Sequence, residues 1–199
     1  KKAGADIVGA EDLVEIVHGG GVRVHDWRAT AGLALLPVLL VREGRAIEPD
    51  VARSIMELRV TIGADAARRC AERSSGGAAE RLGKIVEEMH AIDGDPGAWG
   101  TIGFEFWEEV VVGADNIAYR LAFNTLRAVA AAVAPHLPGV LGAEWALRDR
   151  YRAVAEAIAT GDGDRAESEA RALLGVGVVA VSAFLEQDAG ATVVTAPTD

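Results

Sequence analysis

Residues 99–133, WGTIGFEFWEEVVVGADNIAYRLAFNTLRAVAAAV, leave the chain little freedom in what it can become. Ile102, Phe106 and Val110, then Ile117, Leu121, Leu126 and Val129, recur at steps of about three to five, the spacing of helices that are apolar along a broad face. Two helices are expected, hinged at Gly113-Ala114-Asp115-Asn116. Asp95 suits the cap of the first, with Pro96 in its opening turn, and Pro135 stops the second. Residues 129–133 are small and apolar nearly all round, which predicts a helix in the middle of a bundle with neighbours on several sides. The rest of the chain reads as cover for this pair.

With 199 residues the chain can hold one domain of about 150 residues plus an attachment, and can bury a sizeable core. Half of its residues are hydrophobic but only 5% are aromatic, so Ala, Val and Leu fill the interior, as in close-packed helices. The formal charge of -10 argues against general nucleic-acid binding by these residues alone, because phosphate contacts need clustered Lys and Arg. Cys70 stands alone, which excludes a disulfide framework and fits a reducing cytoplasm. No run approaches the eighteen or so apolar residues of a membrane span, so no membrane partner is expected. The uncharged residues 172–184 read as a buried helix.

In chain order, residues 13–17 and 22–25 are short β-prone runs separated by His18-Gly19-Gly20-Gly21, a hairpin signal because glycines supply positive φ. A lone hairpin is marginal in water, so the sequence is expected to start inside a larger domain. From Asp26 onward strands vanish. Residues 31–41 form a helix candidate, with Pro37 arguing for a kink or break. Glu48-Pro49-Asp50 opens the longest helical pattern, closed by Ser74-Ser75-Gly76-Gly77, and an amphipathic helix follows over 79–92. Pro135 and Pro138 bracket an expected loop, residues 143–159 form the next helix, and Gly161 stops it. Asp162 or Asp164 caps a last helix reaching about Gln187.

These pieces together resemble a known family. LVEIVHGGGVRVHDW resembles the wing that closes the winged helix-turn-helix of GntR-type transcription regulators, and ATAGLALLPVLLV resembles the linker helix of their fatty-acid-responsive FadR branch. IMELRVTIGADAARRCAER resembles the start of the FCD effector-binding domain, and AIATGDGDRAESEA its later Ala-Ile…Gly-Asp…Ala signature. The resemblance covers residues 12–187. It implies an all-α antiparallel bundle of six to seven helices, preceded by a β-hairpin remnant of the winged helix. The implied boundaries are 1–28 for the wing remnant, 29–46 for the linker helix, 47–188 for the effector-binding and dimerisation domain, and 189–199 for a flexible tail.

The resemblance also implies function: a cytoplasmic homodimer that binds operator DNA and answers to a small-molecule effector, with no catalysis. Many FCD domains hold a divalent metal through an aspartate and three histidines. The corresponding positions here are Gly103, Trp107, Tyr151 and Leu173, which lack an ordinary metal-ligand set, so no metal and no cofactor are expected. That departure resembles the branch that binds acyl-CoA without metal, and an acyl-CoA, a fatty acid or another small organic acid is the implied effector. Arg59 sits at a position that in the family often points into the effector cavity, where a guanidinium can hold a carboxylate bidentately; its alternative is a structural ion pair with a helix acid. Phe104, Trp107, Tyr119, Phe123, Tyr151 and Phe184 are candidates for an apolar pocket or for plain core. His18, Gly19, Gly20 and Arg23 match the wing tip that enters the minor groove.

A reading from a different class rests on acids. Glu87-Glu88-Met89-His90 contains one Glu-x-x-His, half of what a di-iron bundle needs, and Glu105 and Glu109 share a helical face. These would make a helical-bundle metalloenzyme. Against it, residues three or four apart with charged side chains ordinarily mark a solvated face.

Overall fold

The computed structural model describes residues 14–17, 21–24, 26–41, 47–73, 77–92 and 95–193. Strands β1 (Val14–Val17) and β2 (Gly21–Val24) pair antiparallel, Val14 opposite Val24 and Val17 opposite Gly21. Among the described residues after them, beside an isolated bridge between Val41 and Ile47, come the helices α1 (Trp27–Thr30), α2 (Leu36–Leu40), α3 (Pro49–Arg73), α4 (Gly77–Ala91), α5 (Pro96–Gly113), α6 (Ile117–Ala132), α7 (Leu137–Trp145), α8 (Arg148–Ala159) and α9 (Gly163–Val193). The all-α bundle expected from the sequence is the fold observed. The expected helix over 31–41 is divided by Pro37 chemistry into a 3-10 turn, Leu33–Leu35, and the short α2 with its proline near the N-terminus.

Local signals explain most boundaries. Asp95 accepts a hydrogen bond from the Gly97 amide, and Asn116 accepts from the Ala118 and Tyr119 amides, so both helices of the 99–133 stretch are capped by side chains. Asp115 takes the turn between them at φ 47. Gly161, at φ 72, ends α8, and Asp162 accepts from the Arg165 amide to start α9.

Three expectations need correction. First, the centre of the bundle is α3 packed along α9, not α6. Gly63, Ala64, Ala66, Ala67 and Cys70 let α3 approach Ala166, Ala170, Leu173 and Leu174 closely, and a Cβ on Gly63 would come within 2.5 Å of Leu174. Helix α6 instead leaves Ile117 and Leu121 exposed and buries Ala122, Phe123 and Val129. Second, residues 136–159 are not loop plus one helix. Pro138 falls in the first turn of α7, where its missing N–H costs nothing, and the chain breaks at Ala146-Leu147. The break lets α7 bury Val140, Leu141 and Trp145 in one apolar cluster while α8 buries Tyr151, Val154 and Ile158 in another. Third, α9 runs to Val193, past the expected end at Gln187. Its Gly163–Gln187 portion is long and apolar enough to cross a membrane, a composition accounted for by the core face carrying Ala166, Ala170, Leu173, Leu174, Val181 and Leu185.

Candidate functional site

The two clusters divide the interior. One gathers α3, α4, α5, α8 and α9; the other gathers α2, the start of α3, the ends of α6 and α9, and α7. Between them lies a cavity of about 120 Å³. Six helices contribute to its wall, among them Leu40 from α2, Ile55 and Arg59 from α3, Phe104 and Trp107 from α5, Phe123 and Val129 from α6, Leu141 from α7 and Phe184 from α9. Apart from Arg59 and His136, the described lining side chains are apolar or aromatic. Ligand sites are concave, mostly apolar and carry a few convergent polar groups, which is the composition found here.

Arg59 reaches the cavity from mid-helix, and its partner is Glu144 of α7. Nη1 donates to Oε2 at 2.7 Å and Nη2 to Oε1 at 2.5 Å, a fork-to-fork pair. The Glu144 side chain is fully buried and that of Arg59 is 16% exposed. The Tyr151 hydroxyl donates to Glu144 Oε1 at 3.4 Å, so the carboxylate is held from two sides. Burial opposes charge on Arg59, but Glu144 outweighs it and holds the guanidinium protonated more firmly than usual. Burial first, and the adjacent Glu144 second, push the Tyr151 phenol well above its ordinary range, so it stays a donor.

Glycines make room for this network. A Cβ on Gly177 of α9 would sit 2.5 Å from Glu144 Oε2 and 3.1 Å from Arg59 Nη1, and one on Gly103 would sit 3.4 Å from the Tyr151 hydroxyl. Trp107 packs near Tyr151, with centroids 6.5 Å apart, and its buried indole N–H lies beside the Tyr151 hydroxyl without forming a well-aligned hydrogen bond.

Of the six effector-site candidates, Arg59, Phe104, Trp107 and Phe123 line the cavity. Phe184 lines it too. Tyr151 stands behind Glu144. Tyr119 points elsewhere: its hydroxyl donates to Asp65 at 2.5 Å, and Arg68 and Arg69 pair with the same carboxylate. Burial pulls against the Asp65 charge, but Tyr119, Arg69 and Arg68 together hold its carboxyl well below the usual range. Glu144 is the functional residue that sequence reasoning missed. Its signal was present: it is the one charged residue between His136 and Arg148.

Gly103, Trp107 and Tyr151 do converge, and Leu173 is fully buried, but glycine, indole, phenol and leucine offer no metal cage. Among the described residues no group of three metal-binding side chains occurs. The acidic constellations also stay apart. Glu87 is exposed, while His90 faces the Val86 carbonyl at 2.8 Å and Asp149 at 3.4 Å. Glu105 is exposed, and Glu109 pairs with Arg81 at 2.6 Å. The metalloenzyme reading therefore loses its motive, because Glu87 and Glu105 face solvent, Glu109 pairs with Arg81, and no metal-binding group of three forms among the described residues. Of the DNA-contact candidates, His18, Gly19 and Gly20 lie outside the described residues, and Arg23 falls in β2.

With the helical bundle, its apolar cavity and the buried Arg59–Glu144 pair in place, comparison with known proteins fixes the class. Residues 54–175 match the FCD domain. The chain is 35% identical over 182 residues to the HTH-type transcriptional regulator Mce2R of Mycobacterium tuberculosis, covering 90% of this chain and 74% of that protein. The same figures hold for Mb0601, an uncharacterized HTH-type transcriptional regulator of Mycobacterium bovis. A GntR protein of Streptococcus agalactiae shares the fold at a TM-score of 0.54 and 19% identity, over 86% of this chain and 75% of that one. The chain belongs to the FCD family and is a relative of HTH-type transcriptional regulators.

Proposed function

We propose that this chain is the sensing part of a ligand-responsive operator-binding regulator. In this reading the β1–β2 hairpin, within residues 1–28, is the wing of a winged helix-turn-helix, with His18, Gly19, Gly20 and Arg23 at its DNA-facing tip. Residues 29–46 link it to the sensing and dimerisation domain that begins at 47 and whose last helix continues to Val193. The carrying observation is the apolar cavity whose wall takes residues from six helices, α2 of the linker among them. A ligand there touches the segment that joins the two functions. Its size suits a ring, a short alkyl chain or another compact organic molecule better than a long fatty acid tail or a whole acyl-CoA: an apolar cavity of about 150 Å³ accommodates benzene.

Mechanistically, the effector acts only through its differential affinity for two arrangements of the domain. In a cytoplasmic homodimer, filling the cavity shifts α2 and α6 relative to α3, and with them the spacing of the two winged helices against the operator half-sites. The test is a mobility-shift titration of the full-length protein on the DNA upstream of its own gene, with and without a compact apolar ligand. Selective retention of that DNA, changed in affinity by ligand, is the expected result. Equal retention of unrelated DNA under both conditions overturns the reading.

A further inference from the structure

The geometry points to an uncharged effector: a compact, largely apolar molecule bearing a neutral oxygen acceptor such as a ketone or amide carbonyl, selected against carboxylates by Glu144. This rests on the proposal that the cavity is the effector site, and it names the ligand class that the cavity takes.

Three observations carry it. Arg59 is the one Lys or Arg among the described lining residues, and both of its terminal nitrogens are occupied by Glu144, at 2.7 and 2.5 Å. At Arg59 the wall therefore presents a neutralised pair rather than a free cation, and the other titratable lining residue, His136, is exposed and packs beside Phe184. Glu144 itself is fully buried, fastened also by the Tyr151 hydroxyl and seated against Gly177, where any Cβ would come within 2.5 Å of its Oε2. A ligand carboxylate drawn to Arg59 would have to share one guanidinium with this second carboxylate in an apolar setting, where like charges are costly. Finally, Trp107 lines the cavity, and its buried N–H lies beside the Tyr151 hydroxyl without a well-formed hydrogen bond to it. A buried donor left unsatisfied is expensive, and a ligand oxygen supplies the missing acceptor without adding charge.

Calorimetric titration of the full chain with two matched trios separates the alternatives: octanoate, octanamide and 2-octanone, and benzoate, benzamide and acetophenone. The neutral members of a trio are expected to bind about tenfold or more tighter than the acid. Glu144→Gln keeps the side-chain shape but frees the Arg59 charge, so its order of preference moves toward the carboxylate. Trp107→Phe weakens the carbonyl compounds while leaving the acid's affinity nearly unchanged, which keeps the inference testable if Glu144→Gln fails to fold. Tighter binding of octanoate or benzoate by the wild-type chain overturns the neutral-ligand assignment and leaves the cavity standing as an effector site. No heat from any of the six overturns both the assignment and the cavity as the effector site, while selective operator binding is judged separately by the mobility shift.

Discussion

Arg59 and Glu144 leave water together, so removing one strands the other. Breaking a buried pair by deleting one partner costs about 3–5 kcal/mol, whereas replacing both by apolar side chains of similar volume is often neutral. Glu144→Leu is accordingly expected to lower the unfolding free energy by about that amount in urea titrations, and Arg59→Met/Glu144→Leu to recover most of it. A double variant no more stable than Glu144→Leu would show that the pair is not the source of the loss. Cys70 gives a pH-dependent counterpart. Burial, aided by Glu109, pushes its thiol up to about 12 from a reference of 9.0. The folded state thus favours the neutral thiol: that contribution is fully present below pH 9.0 and is lost as the pH rises toward about 12. Native protein at pH 8 is expected to resist thiol-specific reagents and to react fully once denatured, read by absorbance of the released chromophore. At this scale the sequence was half legible. Arg59 could be singled out because a charge between Leu58 and Val60 needs a reason, but its partner lies 85 residues away, and no local spacing announces such a pairing.

Among elements, α6 is attached rather than enclosed: Ala122, Phe123 and Val129 are its buried residues, and the attachment at its start is polar. The Tyr119 hydroxyl donates to Asp65 of α3, beside Arg68 and Arg69, and the Asn116 side chain caps the helix start. Tyr119→Phe is expected to cost about 1–2 kcal/mol, as removal of a bond to a partly screened carboxylate. Because the Asp65 carboxyl is held below its ordinary 3.8, its contribution is present above that pH and fades as the solution is acidified below it. The acid limb of a stability-against-pH curve should therefore be shallower in Asp65→Asn than in the wild type, as measured by urea midpoints. An unchanged limb would remove Asp65 from the account. Helix ends written in local chemistry, at Asp95, Gly161 and Asp162, were readable in advance. The α7–α8 break was not, since Leu147 offers no side-chain cap and the bend exists only because Trp145 and Tyr151 are claimed by different clusters. The same limit explains why α6 was read as central. Small apolar residues along 128–133 suit either a bundle core or a helix resting on one side of it, and the choice is made by α3 and α9 packing on each other first.

For the whole molecule, the cavity sits where the two apolar clusters meet, so its occupancy decides how firmly α2, α6 and α7 are held to the α3–α9 spine. A ligand that binds only the folded state at about 100 times its dissociation constant adds about 2.7 kcal/mol, and here that stabilisation reaches the helices that border the void. Filling the void covalently should do the same without ligand. Ala130 lines it from α6, and Ala130→Leu introduces three further carbons at a helical position that favours leucine. The variant is expected to melt at a temperature equal to or above that of the wild type, to show slower amide exchange in α6, and to lose its thermal response to every cavity ligand. In the full-length protein its operator affinity should become indifferent to those ligands, fixed at the wild type's ligand-bound value. Retention of a normal ligand response by a well-folded Ala130→Leu chain would place the effector elsewhere. A folded variant locked at the ligand-free affinity would show instead that occupancy of the void is not what moves the linker.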